Sequence, residues 1–167
     1  DFEPTDFVQI NGALNRAMIA RALDVLEPQA GATVLDLFCG LGNFSLPLAR
    51  RTGQVVAVEG DAGLVQRARG NAERNGITNA EFHGAPWARR HYDRVLLDPP
   101  RAGAREILPV VAGSGASRVV YISCHSGSLA RDAGLLVREH GFRLTAAGVM
   151  DMFPHTTHVE AVAVFER

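Results

Sequence analysis

Four groups able to move protons or attack carbon stand at the ends of four apolar runs. Asp36 and Phe38 lie at the end of 33–38, Glu59 follows 55–58, Asp98 closes 92–98, and Cys124 follows 118–123. A carboxylate accepts hydrogen bonds from hydroxyl groups or takes a proton, while a thiolate adds to electrophilic carbon. A lone cysteine at the end of a buried strand can also be a small packing residue. Beside a ligand pocket it is better placed to be a nucleophile. Cys39 competes for that role but lies within a glycine turn, where a structural part is expected. A further polar cluster, DMFPHTTHVE, covers residues 151–160. Its His155, His158 and Glu160 have H-x-x-H-x-E spacing, but this leads into a strand, and no cysteine cluster accompanies it. A loop that positions one acid is therefore expected there, and no metal.

The element that positions the first of these groups is VLDLFCGLGNF, residues 34–44. A short apolar strand carries Asp36 and ends in Cys39-Gly40-Leu41-Gly42-Asn43, and helical spacing resumes after Phe44. Strand, glycine turn and helix make half of a nucleotide-binding unit, because glycines such as Gly40 let backbone N–H groups approach a ligand. The second half is the strand 55–58 with Glu59 at its C-terminal end, where a carboxylate can accept from both hydroxyls of a ribose. A GxG alone is weak, since ordinary strand-to-helix turns use glycine too. The spacing here is G-x-G-N, not that of a dinucleotide site. Phe38 and Asn43 flank the turn with a stacking face and an amide. That combination suits an adenosine ligand without phosphates, such as S-adenosylmethionine.

Strands are expected at 33–38, 54–59, 80–83, 92–98, 118–123, 142–150 and 159–166. Helices are expected at about 13–26, 44–51, 61–75, 105–111 and 129–140. Alternating strand and helix implies a mainly parallel sheet covered on both faces. The last two strands have no helix between them and form an antiparallel pair. The expected fold is an α/β, Rossmann-like sheet of seven strands with an antiparallel closing strand, which resembles that of the class I S-adenosylmethionine-dependent methyltransferases. Ligands of such sheets bind at the C-terminal strand ends, where Asp36, Phe38, Glu59, Asp98 and Cys124 fall.

One junction is too short. A parallel crossover takes about a dozen residues, and only Gly84–His91, eight residues, separate the third and fourth strands. Fully extended they reach about 27 Å, with none left for a helix. A missing segment is expected near Gly84–Pro86.

At 167 residues the chain is read as one domain, with 47% hydrophobic and 21% charged residues. No apolar run approaches the ~20 residues of a membrane span. Nothing at the N-terminus reads as a signal peptide, though Asp1 is not expected as a native start. The net charge of −1 gives no overall electrostatic case for nucleic acid. All 17 basic residues are Arg, which suits phosphate contacts but equally follows from a GC-rich genome, the explanation preferred. Two cysteines far apart in sequence point to a reducing cytoplasm rather than a disulfide.

Asp98-Pro99-Pro100-Arg101 is a rigid loop, since neither proline donates a hydrogen bond. Such loops serve amino methylation when an aromatic residue follows, and Arg101 stands in that place. A stiff turn is the plainer reading.

Taken together, DLFCGLGNF, DPPRAG, the strand-end Ser123-Cys124 and DMFPHTTHVE resemble the RNA uracil-C5 methyltransferase family. The resemblance covers nearly the whole chain, from Phe7-Val8-Gln9 to the last strand, so that 1–167 is expected to be that family's single C-terminal catalytic domain. It implies cofactor contacts from Gln9, Phe38, Asn43, Glu59 and Asp98, Cys124 as nucleophile and Glu160 as base. It implies S-adenosyl-L-methionine as cofactor and RNA as partner, ribosomal RNA first and transfer RNA second, with no membrane and a monomeric, cytoplasmic enzyme. The family follows its cysteine with Asn-Pro, and here His125-Ser126 stand instead. The family's polar residue after the third strand, its N-terminal oligonucleotide-binding domain and its iron–sulfur cysteines have no counterpart here. A catalytic fragment is expected, with any iron–sulfur cluster outside it. Two alternatives stay open: an amino methyltransferase using Asp98-Pro99-Pro100, and a non-catalytic module that binds S-adenosylmethionine or RNA.

Overall fold

Seven strands form one sheet. In chain order they are β1 (Thr33–Leu37), β2 (Gln54–Val58), β3 (Ala80–His83), β4 (Arg94–Leu97), β5 (Arg118–Ser123), β6 (Arg143–Met150) and β7 (Glu160–Glu166). Their spatial order is β3-β2-β1-β4-β5-β7-β6. The first five pair in parallel, and β7 runs antiparallel to both β5 and β6. This is the expected seven-stranded sheet with its antiparallel closing strand. The computed structural model describes residues 2–3, 11–85, 91–151 and 159–167. Gln9, His155 and His158 lie outside them. The expected missing segment near Gly84–Pro86 borders the undescribed residues 86–90.

The parallel strands are apolar on both faces, as a doubly covered sheet requires; Val55, Val56, Ala57 and Val58 are all buried. One face packs on α1 (Gly12–Leu26), α2 (Ser45–Ala49) and α3 (Ala62–Arg74), through Met18, Leu48 and Ala68 among others. The other packs on α4 (Leu108–Gly113) and α5 (Ser126–Arg138), through Leu108, Val111 and Leu136. A helix end leaves carbonyls without partners. At the end of α1, Arg118 donates to Val25 O (2.8 Å) and Arg94 to Leu26 O (3.1 Å). The two strand-initial arginines thereby tie α1 to the N-terminal edge of β4 and β5, opposite the edge that carries the acids.

Two helices differ from their sequence expectation for local reasons. The 105–111 helix is a 3-10 turn, Arg105–Ile107, followed by α4. Pro109 cannot donate to a preceding carbonyl, so it sits in the first turn of a helix that starts just before it. Helix α5 begins at Ser126 rather than 129, because His125 caps it: its Nδ1 accepts from the Ser128 N–H at 3.1 Å.

Candidate active site

The register brings the sequence-selected groups to one edge. Leu37 pairs with Val58 and Leu97, and Leu97 with Tyr121. Phe38, Glu59 and Asp98 each follow one of these strand ends, and Cys124 follows the end of β5. Strand β7 enters from the same edge in the opposite direction. Ser123 pairs with Ala161, so one further step of that ladder sets Cys124 beside Glu160.

The glycine turn is held in conformations few residues adopt. Phe38 has φ of 64°, uncommon for a bulky side chain and characteristic of functional sites. Its N–H and that of Cys39 both donate to Val58 O, at 2.9 and 3.1 Å. Gly42 has φ of 89°, and a Cβ there would lie 3.2 Å from Leu46 Cγ. Asn43 and Asn15 exchange amide hydrogen bonds of 2.9 and 3.1 Å, which fixes α1 to the turn.

Glu59 spans the turn and the next helix. One carboxylate oxygen accepts from the Gly40 N–H at 3.0 Å, and the other from the Gly60 and Asp61 N–H groups at 2.7 and 3.1 Å. Asp36 is fully buried. Its Oδ2 accepts from Ser45 Oγ at 2.5 Å, while Oδ1 has no hydrogen-bond partner among the described residues. Burial pushes its carboxyl up to about 7; the Ser45 hydrogen bond opposes the shift and Glu59 adds to it. Burial, Glu160 and Asp36 push Asp98 up to about 8. Glu160 is 5% exposed, and burial raises it as well.

Cys124 is half-buried. Burial raises its thiol, Glu160 raises it further, and Arg101 pulls it down. Arg101, which replaces an aromatic residue in the DPP loop, is thus a cation whose charge favours the thiolate. Cys39 is buried, and burial with Asp36 and Glu59 drives its thiol far above the ordinary range. A thiol so held is no nucleophile.

Four carboxyl groups at one rim, three of them with raised pKa, form a site that a cation relieves. Neutralising charge from outside lets these acids ionise, and the bare Asp36 Oδ1 has a hydrogen bond to accept. A sulfonium and an ammonium on one adenosine ligand answer both needs, so these residues fit S-adenosylmethionine. Two surface hollows lie along α3, lined among others by Arg67 and Arg69, and contain none of these acids.

Sequence reasoning missed Ser45, Asn15, Tyr121 and Asp132. Asp132 carried a signal: it shares a helix face with Ser128 and Leu136, the other buried residues of α5, and a charge on a buried stripe asks for a partner.

The family model described as tRNA (Uracil-5-)-methyltransferase matches residues 2–85 and 82–167. The chain belongs to this family. It is 61% identical over 175 aligned residues to the 23S rRNA (uracil(1939)-C(5))-methyltransferase RlmD of Stenotrophomonas maltophilia strain K279a, covering 99% of this chain and 39% of that protein. RlmD of Xylella fastidiosa strain Temecula1 is likewise 61% identical, over 99% of this chain and 40% of its own length. The chain therefore spans about two-fifths of these relatives. Among solved structures, the tRNA (uracil-54, C5)-methyltransferase of Pyrococcus abyssi, in complex with S-adenosyl-L-homocysteine, superposes with a TM-score of 0.84 at 32% identity. That match covers 98% of this chain and 41% of the other. The putative RNA methyltransferase PH1948 of Pyrococcus horikoshii shares the fold, with a TM-score of 0.74 at 19% identity, over 100% of this chain and 93% of its own. The sheet is that of the class I S-adenosylmethionine methyltransferases.

Proposed function

We propose that this chain is the catalytic domain of an enzyme that methylates C5 of uridine in 23S ribosomal RNA, with Cys124 as nucleophile and Glu160 as base. The observation that carries the reading is the convergence of Cys124, Glu160, Asp98 and Arg101 at one sheet edge, next to the turn that holds Asp36, Gly40, Asn43 and Glu59. The names of the relatives support the substrate, and the ligand in the Pyrococcus abyssi structure supports the cofactor class.

C5 of uracil is a weak nucleophile. The Cys124 thiolate adds to C6, forming an S–C6 bond and moving the ring electrons toward O4 as an enolate. S-adenosyl-L-methionine, when bound, would supply an electrophilic methyl group; C5 would take it as the S–CH3 bond breaks and its electron pair stays on the departing thioether sulfur. Glu160 removes the proton left on C5, the electron pair re-forms the C5–C6 double bond, and the thiolate departs. Asp36, Phe38, Gly40, Asn43, Glu59 and Asp98, with Gln9, bind the cofactor. The uridine has to leave its base stack to reach Cys124.

The two matched segments of the family model meet at residues 82–85. That supports a link between β3 and β4 shortened relative to the family, near Gly84–Pro86. No helix among the described residues is long and apolar enough to cross a membrane, and the proposed enzyme acts as a cytoplasmic monomer. The proposal assigns no iron–sulfur cluster to this chain.

The test is incubation with methyl-labelled S-adenosylmethionine and 23S ribosomal or transfer RNA, followed by nucleoside mapping. Label in 5-methyluridine from ribosomal RNA, abolished by Cys124→Ser, is expected. Label in an exocyclic amine that survives Cys124→Ser would replace the reading with an amino methyltransferase. Cofactor binding with no transfer to either RNA would replace it with a binding module.

A further inference from the structure

Asp132 is a charged residue with 0% exposure, on the second turn of α5. Every donor around it is spoken for. Oδ2 accepts from Tyr121 Oη and from the Ala104 N–H, each at 2.7 Å, and Oδ1 accepts from Arg131 Nε at 2.8 Å. Burial pushes the carboxyl up, but the bonds from Arg131, Ala104 and Tyr121 outweigh it and hold the group below the usual carboxylate range. It is an ionised, paired, buried acid, the kind of group costly to disturb.

Its partners define what it grips. Ala104 ends the loop that leaves β4 at Asp98. Arg131 adds a second grip, donating from Nη2 to Ala102 O at 2.7 Å. Between these points the loop turns on itself, with the Gly103 N–H donating to Pro100 O at 2.8 Å. Gly103 has φ of 85°, and a Cβ on it would lie 2.5 Å from both Asp132 Oδ2 and Arg131 Nη2. The loop backbone is therefore seated against α5 with no space between them.

The same helix begins two residues after Cys124, and its cap is the intervening His125. One rigid element thus carries the thiol at its start and holds the loop of Arg101 one turn further on. The charged groups facing the thiol are Glu160 from β7, and Asp98 and Arg101 from this loop. Of these charges Arg101 alone favours the thiolate, with a backbone hydrogen bond adding to it; Arg101 itself is exposed, so its position depends on the seating of its backbone. We propose that Asp132 is a positioning residue: by pinning the 98–104 loop to α5, the helix that starts two residues after Cys124, it fixes where the Arg101 charge stands relative to the Cys124 thiol. This rests on Cys124 being the proposed nucleophile.

The experiment reads the thiol without RNA or cofactor. The rate of iodoacetamide labelling of Cys124 in the full chain is followed against pH by mass spectrometry of its peptide, with buried Cys39 as internal reference. Asp132→Asn keeps the size but cannot accept from three donors at once. Its labelling midpoint is expected to rise on the order of half a pH unit. Arg101→Gln should give a similar rise, and the double variant no more than Arg101→Gln alone. A carboxylate that only stabilised the fold would lower the melting temperature and leave the midpoint unmoved. An unmoved midpoint in folded Asp132→Asn, or additive shifts in the double variant, overturns the proposal. Should Asp132→Asn not fold, Gly103→Ala lifts the loop while leaving Asp132 in place; it must raise the midpoint, and an unchanged value there overturns the proposal equally. Absence of methyl transfer with the shift present would remove the proposed reaction and leave the positioning role standing.

Discussion

Cys124 follows Ser123 and Glu160 precedes Ala161, and Ser123 and Ala161 are the last pair of the antiparallel ladder between β5 and β7. Strand pairing therefore brings the base proposed to finish the reaction to the same sheet edge as the residue proposed to start it. Glu160→Gln keeps the size and a hydrogen-bonding group but cannot take the C5 proton. Addition and methyl transfer would proceed, and RNA would stay attached through Cys124. Denaturing electrophoresis should show a retarded band that needs the methyl donor and vanishes in Cys124→Ala/Glu160→Gln. Release of free methylated RNA at the unmutated rate would remove Glu160 as the base.

Glu59 gathers three backbone N–H groups from the glycine turn and the start of α3. Its carboxylate is thereby aimed before any ligand arrives. Glu59→Ala should weaken S-adenosylmethionine binding by roughly 1.5–3 kcal/mol, the range for hydrogen bonds to charged groups. Calorimetry showing unchanged affinity would take Glu59 out of the site.

His125 stands where the family has asparagine, and it does the work of an N-cap through Nδ1. His125→Ala should lower stability by about 1 kcal/mol, the usual loss of a cap. His125→Asn should stay within a few tenths of the starting value, since an asparagine oxygen caps the same donor. Urea unfolding of the two variants decides it; equal losses would mean the ring packs rather than caps.

Strand ends were legible in the sequence because apolar runs stop at polar residues, and those stops, Glu59, Asp98 and Cys124, gather at one sheet edge with Asp36 just inside the end of β1. The antiparallel finish was legible because no helix separates β6 from β7. Helix starts were less so. Histidine is an unusual cap, so the first turn of α5 read as loop, and Pro109 split what read as one helix. The role of Arg101 was hidden for another reason. Sequence shows which residue replaces an aromatic ring, but not that Asp132, about thirty positions later, holds its loop against the helix that follows Cys124.

Asp36 and Asp98 titrate near 7 and 8 in the folded chain, against 3.8 as the ordinary value of each. Between those limits the folded chain holds more protons than the unfolded chain, so its stability falls as pH rises. The fall extends through the folded values and levels off above them. Without ligand, the melting temperature should be lower at about pH 8.5 than at about pH 6, and Asp98→Asn should flatten the difference. A cationic ligand favours the ionised carboxylates, so the proposed cofactor should bind more tightly as pH rises across the same window, releasing protons. Calorimetry in two buffers of different ionisation enthalpy measures that release directly. A melting temperature flat across the window, together with binding that releases no proton, would mean that neither acid is held protonated at this sheet edge.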